Sequence, residues 1–115
     1  MKNADDLWNL EERFWTGGAD SARGLTATGA VMVFPYPAGI LRGDAIWESM
    51  AQAPRWRSVL MSDRVMTRQG DTAVLAYHAS AERDGVPIYE ALCASTYLRD
   101  EDAWVLMAHQ QTPIA

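Results

Sequence analysis

Glu11 is the residue whose surroundings most clearly permit chemistry. Side chains three and four positions apart on a helix lie next to one another. At these spacings Glu11 has only apolar neighbours, namely Leu7, Trp8, Phe14 and Trp15. A carboxyl group buried without a partner has a raised pKa, which is how acids are tuned for proton transfer. The alternative is a structural ion pair with Arg64 or another arginine, and the sequence leaves both interpretations open.

His109 and Tyr77 are the other groups suited to proton chemistry. A neutral imidazole can accept or relay a proton near neutral pH, and a tyrosine hydroxyl can orient a substrate. Each also has a purely structural interpretation. His109 can be a hydrogen-bonded core or rim histidine, and Tyr77 can pack in the core with its hydroxyl satisfied.

Composition excludes several classes of function. The chain has 115 residues and a net charge of −5, with no cluster of Lys and Arg, so we expect no nucleic-acid partner. No apolar stretch reaches the length of a membrane span. Cys93 is the single cysteine, and its spacing from His78 and His109 matches no zinc motif. We therefore expect no metal site, no cofactor and no membrane partner.

The length predicts a single domain over residues 1–115. The first six residues, Met1 to Asp6, lack the apolar stretch of a signal peptide, so we expect a cytoplasmic location by default.

Apolar periodicity and turn residues predict helices first and strands afterwards. The predicted helices cover residues 4–16, ended by Gly17-Gly18, then a short segment through about Ala27, and a third from Gly43-Asp44 to Pro54. The predicted strands cover residues 30–34, 40–42, 56–68, 72–83, 86–99 and 103–112. This order indicates an α+β domain with a curved antiparallel sheet.

The turns also predict the strand register. With Asp84-Gly85 as a two-residue hairpin loop, Tyr77 lies opposite Leu92, and pairing of Leu98 with Ala103 puts Leu92 opposite His109. One sheet face then carries, among others, Tyr77, Glu90, Leu92, Met107, His109 and Gln111. The other carries His78, Tyr89, Cys93, Tyr97 and Trp104 among others. Both faces are largely apolar, so we expect the helices to cover one and a second copy of the chain to cover the other.

Four segments together resemble the nuclear transport factor 2-like (NTF2-like) superfamily in its SnoaL-like branch. They are the helix ending at Gly17-Gly18-Ala19-Asp20, the strand from Ala30 to Phe34 before Pro35, the segment Leu41-Arg42-Gly43-Asp44-Ala45-Ile46, and the closing strand from Trp104 through His109 to Pro113. The resemblance covers nearly the whole chain. It implies a cone-shaped domain, commonly dimeric, with a pocket inside the sheet.

The resemblance also implies which residues face the pocket. The pocket-facing positions of the closing strand match Met107, His109 and Gln111, which places Tyr77 and Glu90 on the pocket side as well. The predicted ligand-contacting residues are Phe34, Trp47, Arg64, Tyr77, Glu90, Leu92, Met107 and Gln111. Arg64 belongs to this set only if Gln69-Gly70 is also a two-residue loop.

Members of the superfamily include ketosteroid isomerases, but the matching catalytic positions are lost here. That chemistry needs a carboxylate base where this chain has Phe34, a tyrosine in the first helix, and a late-strand acid near Ala94. The first helix contains no tyrosine. The resemblance in fold therefore does not imply the ketosteroid isomerase mechanism for this chain.

Three functions remain as hypotheses. The first is a homodimeric module that binds a small, largely apolar metabolite. The second is a cofactor-independent isomerase, dehydratase or cyclase that uses Glu11 and His109 for proton transfer, with Tyr77 orienting the substrate. The third is a dimerisation module whose cone is filled by side chains.

Overall fold

The computed structural model describes residues 4–114, which form three helices and six strands. The helices are α1 (Ala4–Thr16), α2 (Ala19–Gly24) and α3 (Asp44–Gln52). The strands are β1 (Thr26–Phe34), β2 (Gly39–Arg42), β3 (Ser58–Gln69), β4 (Thr72–Glu82), β5 (Tyr89–Asp100) and β6 (Ala103–Pro113). The predicted α+β class is confirmed. Within residues 4–114, no helix is both long and apolar enough to span a bilayer.

The strands form one curved, open sheet in the order β2-β1-β6-β5-β4-β3. The last four strands follow one another as antiparallel neighbours, as the turns predict. β1 pairs with β6 in the parallel direction, so the otherwise antiparallel sheet contains one parallel pair of strands. The reason is that β1 reaches β6 from the helical layer and not through a hairpin, which leaves its direction free.

The helices cover the concave face of the sheet. Leu7, Phe14 and Trp15 of α1 are buried, each no more than 3% exposed. They pack with inward residues of β4, where burial alternates strictly along the strand. The inward residues of β4 are Ala73, Leu75, Tyr77, Ala79 and Ala81.

The register between β4 and β5 differs by one residue from the prediction. Tyr77 pairs with Cys93 and Ala81 with Tyr89, so the connection spans residues 83–88. The physical reason is Pro87, which has no N–H to donate to a strand partner and keeps this segment out of the sheet. A shift of one residue exchanges the two faces of a strand. The side chains of β5 that face inward are therefore Tyr89, Ala91, Cys93, Ser95 and Tyr97, and the predicted inward positions Glu90 and Leu92 point outward.

A bulge in β6 changes the face of that strand halfway along. Tyr97 pairs with Leu106 but Thr96 pairs with Ala108, so Met107 is an extra residue in the ladder. Leu106 before the bulge and His109 after it are both buried. The predicted face is thus correct for His109 and wrong for Met107.

Gly17 gives the first testable consequence. A Cβ on this residue would lie 2.7 Å from the backbone oxygen of Arg13 and 2.6 Å from Oγ of Ser21. We expect Gly17→Ala to lower the free energy of unfolding by about 1–3 kcal/mol, because a backbone atom cannot move aside cheaply.

Gly24→Ala is the matched control. This residue also lies at a helix end, and no atom lies within 4 Å of the position that a Cβ would take. We expect a neutral effect or a gain of up to about 1 kcal/mol, since alanine restricts the unfolded chain. Urea denaturation of both variants measures the difference, and equal stabilities would contradict the proposed clash.

Candidate functional site

Glu11 is fully buried and is the centre of a hydrogen-bond network that joins α1 to the sheet. Its Oε2 accepts hydrogen bonds from the hydroxyls of Tyr77 on β4 and Ser95 on β5, the latter at 2.5 Å. Its Oε1 accepts a hydrogen bond from the hydroxyl of Tyr97 at 2.6 Å. Nε1 of Trp15 donates to the Tyr77 oxygen at 2.8 Å. The helix and two strands thus meet at one carboxyl group.

His109 brings β6 into the same network. Its Nδ1 lies 2.7 Å from Oγ of Ser95 and 3.4 Å from Oε2 of Glu11. The imidazole packs against aromatic rings, with centroid distances of 4.7 Å to Phe14 and 6.0 Å to Phe34. The side chains of both His109 and Glu11 have 0% exposure.

The network controls the ionisation of its members. Burial by itself raises the pKa of Glu11. The contact with His109, whose charge when protonated adds to the effect, and the hydrogen bonds from Ser95 and Tyr77 lower the pKa by more than burial raises it, so the pKa of Glu11 lies below 4.5. Burial and the nearby negative charge of Glu11 raise the pKa values of Tyr77 and Tyr97. The hydroxyls therefore remain protonated donors to a carboxylate.

One arrangement of protons satisfies every contact when the imidazole is neutral. Tyr89 donates to Oε1 of Gln111, whose Nε2 donates to Nε2 of His109. Nδ1–H of His109 then donates to Ser95, and Ser95 donates to Glu11.

The order of these contacts is unsuited to nucleophilic catalysis. In a catalytic triad the imidazole lies between nucleophile and acid, using a different nitrogen for each. Here Ser95 lies between His109 and Glu11, and Nδ1 faces both of them. Ser95 is also only 1% exposed, so a substrate has no access to its hydroxyl.

The predicted ion pair between Glu11 and Arg64 is not formed. The Arg64 guanidinium carbon lies 4.9 Å from the ring centroid of Trp8, and its Nε donates to the Met61 carbonyl. A bulge in β3 between Ser62 and Val65 displaces Arg64 from the regular alternation of the strand. Hydroxyl groups and His109 take the place of the expected arginine at Glu11.

A cavity of about 880 Å³ lies where β5 begins and β6 ends, beside the network. Its walls come from five parts of the chain. They are residues 14–20 of α1 and α2, residues 34–38 after β1, residues 49–56 at the end of α3 and beyond it, residues 83–89 between β4 and β5, and Gln111 of β6. The rings of Trp15, Trp56 and Tyr89 form one wall, and Trp56 stacks on Tyr89 at a centroid distance of 5.4 Å. Burial raises the pKa of Tyr89 to about 12, with the charge of Cys93 a second cause, so its hydroxyl stays neutral.

The predicted site residues therefore divide into three groups. Phe34 and Gln111 line the cavity. Glu11, Tyr77 and His109 lie together in the buried network but do not line the cavity. The other five predicted contacts lie elsewhere: Trp47 packs at the edge of the core, Arg64 stacks on Trp8, Met107 is the bulge residue, and Glu90 and Leu92 are on the outer face.

The prediction missed Ser95 and Tyr97 of the network and Trp56 and Arg83 of the cavity wall. The register predicted for β5 was shifted by one residue, which put Ser95 and Tyr97 on the wrong face of the sheet. Pro87 was the residue that could have indicated a later start of the strand. The cavity wall is built from connections between elements, and no periodic pattern in the sequence places such residues. Within residues 4–114, no three His, Cys, Asp or Glu side chains are grouped to hold a metal ion.

Comparison with solved structures identifies the fold. A candidate ketosteroid isomerase from Parabacteroides distasonis has a TM-score of 0.83 at 18% identity, covering 98% of this chain and 89% of that one. An NTF2-like protein from Cytophaga hutchinsonii has a TM-score of 0.81 at 14% identity, covering 99% and 100%. The CaMKII hub homology domain of Chlamydomonas reinhardtii has a TM-score of 0.78 at 13% identity, covering all of both chains.

No protein-family model and no curated protein sequence matches this chain. The similarity is therefore one of structure, at identities that establish the fold and not the activity. The protein has the NTF2-like α+β fold, as the sequence segments predict.

The network predicts the effect of removing the buried carboxylate. We expect Glu11→Leu to lower the free energy of unfolding by about 3–5 kcal/mol, because it leaves the hydroxyls of Tyr77, Ser95 and Tyr97 without an acceptor. Glu12→Leu, an exposed neighbour in α1, is the control and should change stability by no more than about 0.5 kcal/mol. Urea denaturation near neutral pH measures both, and a neutral or stabilising Glu11→Leu would refute the structural role.

The stability difference between wild type and Glu11→Leu should depend on pH. The carboxyl group of Glu11 has a lower pKa in the folded protein than its ordinary value of 4.5. Its stabilisation is therefore complete above that value and declines as the pH falls towards the folded pKa. The stability gap between wild type and Glu11→Leu should therefore narrow as the pH falls below about 4.5. A gap that widens on acidification would contradict the lowered pKa.

Proposed function

We propose that the 115 residues form one NTF2-like domain of the SnoaL-like type that binds a small, largely apolar metabolite as a homodimer in the cytoplasm. The observation that carries this proposal is the cavity of about 880 Å³ with aromatic walls. Its volume is in the range of ligand pockets, which are mostly apolar with a few convergent polar groups. Tyr89, Gln111 and Ser49 are such polar groups, and Arg55 and Arg83 add charge.

The burial of Glu11 and His109 favours binding over proton-transfer catalysis. An acid–base pair must come within hydrogen-bond reach of a substrate atom, directly or through one water. Both side chains are fully buried, and the Gln111 amide lies between His109 and the cavity. The isomerase, dehydratase or cyclase hypothesis would require that amide and the surrounding rings to move aside. The hypothesis of a cone filled by side chains is disfavoured by the volume of the cavity.

Self-association is the second part of the proposal. The outer sheet face exposes Leu60, Leu92 and Ile40, at 68%, 54% and 74%. Leu92 lies beside His78, which pairs with Glu90 at 2.9 Å, so a polar pair is next to an apolar surface. Hub domains are among the structural neighbours, which supports contact between copies of this fold. Exposed apolar sheet surface of this kind is typical of an interface.

Ligand binding is tested with N-phenyl-1-naphthylamine, a neutral probe whose own emission rises in apolar surroundings. We expect saturable binding to the wild type and at least roughly fivefold weaker binding to Ala51→Phe, because the added ring enters the cavity. Ala45→Phe is the control, since Ala45 lies on the same helix but does not line the cavity. No saturable binding, or an equal loss in both variants, would refute the cavity as a binding site.

Dimerisation is tested by light scattering and sedimentation at micromolar concentration. We expect a dimer for the wild type and a monomer for Leu92→Glu, because a charge on the outer face cannot be buried against a second copy without a partner. Tyr36→Glu is the control, since Tyr36 is 95% exposed in the β1–β2 connection, away from the sheet face. A monomeric wild type would contradict this part of the proposal.

A further inference from the structure

Two arginines on the cavity wall form no salt bridge with any acidic side chain that the structure describes. Within residues 4–114, salt bridges to carboxylates are made by Arg23, Arg57 and Arg99, whereas Arg55 and Arg83 line the cavity and make none. Asp20 also lines the cavity but lies beyond 4.0 Å of either guanidinium. The wall therefore has a net positive charge in a chain whose net charge is −5.

Arg83 is held in a defined position. Its Nη1 donates to the Pro54 carbonyl at 3.1 Å, and its guanidinium carbon lies 4.3 Å from the ring centroid of Trp56. Trp56 in turn stacks on Tyr89. Arg83, Trp56 and Tyr89 thus form a continuous stack in which the charged group and the aromatic wall adjoin.

The remaining edge of the Arg83 guanidinium has no partner. Nε is buried and makes no hydrogen bond within the described residues, and Nη2 makes none either. A buried donor without an acceptor is costly, and native structures rarely keep one without a reason. Nε and Nη2 are the two donors of the edge that binds a carboxylate through two parallel hydrogen bonds.

We propose that the ligand is a carboxylate with a flat apolar body, whose acid group binds Arg83 and Arg55 and whose body packs on Trp15, Trp56 and Phe34. This inference rests on the proposed binding function and specifies its ligand class. A carboxylate supplies the acceptor that Nη2 of Arg83 lacks among the described residues, and it neutralises the positive charge of the wall. A neutral apolar ligand would leave both unsatisfied.

The test compares two fluorescent probes that differ in one group, 1-pyrenebutyrate and 1-pyrenebutanol. We expect the full-length wild type to bind the acid at least about tenfold more tightly than the alcohol in low salt. The preference should shrink at high ionic strength, because Arg55 is exposed and its attraction is screened.

Variants locate the source of the preference. Arg83→Gln and Arg55→Gln should each weaken binding of the acid by roughly fivefold while changing binding of the alcohol by less than about twofold. Arg83→Lys keeps the charge but not the paired donors and should recover part of the affinity. Arg57→Gln is the matched control, because Arg57 lies two residues from Arg55, pairs with Glu82 and Asp84, and does not line the cavity.

The outcomes separate this inference from the function on which it rests. Equal binding of the two probes by the wild type, or a preference that survives in the double variant Arg55→Gln/Arg83→Gln, would overturn the carboxylate class and leave the binding function standing. Binding of neither probe would overturn both. Since Arg83 packs on Trp56, Arg83→Gln is first checked by denaturation, and the exposed Arg55→Gln decides the matter if the other variant is unstable.

Discussion

A carboxylate can be buried only when hydrogen bonds replace the water that it loses, and the fold of this chain is arranged around meeting that condition for Glu11. The hydroxyls that do so come from two strands, and the imidazole beside them comes from a third. The one residue therefore fixes how α1 lies across β4, β5 and β6. An apolar residue in its place would pack without specifying that orientation, and the partners would each lack an acceptor.

The network and the cavity are neighbours with different physical roles. The network is closed to solvent, and its proton arrangement is determined by the contacts of its own members. The cavity has aromatic walls and carries two arginines that pair with no carboxylate in the described part of the chain. Gln111 and Trp15 belong to both, because each lines the cavity and each contacts the network, Gln111 at His109 and Trp15 at Tyr77. The Gln111 amide is thus oriented in part by His109, which does not line the cavity.

The sequence was sufficient to predict the order of the elements and the fold. These depend on apolar periodicity and on residues that end helices, such as Gly17-Gly18 and Pro54. It was also sufficient to single out Glu11, since a charge within an apolar stripe is visible in one helix. It failed where one residue decides the face of a whole strand. The prediction took Asp84-Gly85 as a two-residue turn and did not allow for Pro87, which shifted the register of β5 by one residue. The bulge at Met107 cannot be recognised from the apolar alternation of β6. The partners of Glu11 and the cavity walls depend on those details.

The separation of network and cavity has a consequence for how this chain can change over evolution or by design. The cavity is walled largely by connections and the ends of the elements that they join, at residues 34–38, 49–56 and 83–89. None of these segments contributes a side chain that hydrogen-bonds to Glu11. Insertions and substitutions there can alter the shape and charge of the cavity at little cost to folding. Specificity and stability are thus encoded largely in different residues, with Trp15, Phe34 and Gln111 shared between them, so the connections can change while the network is kept.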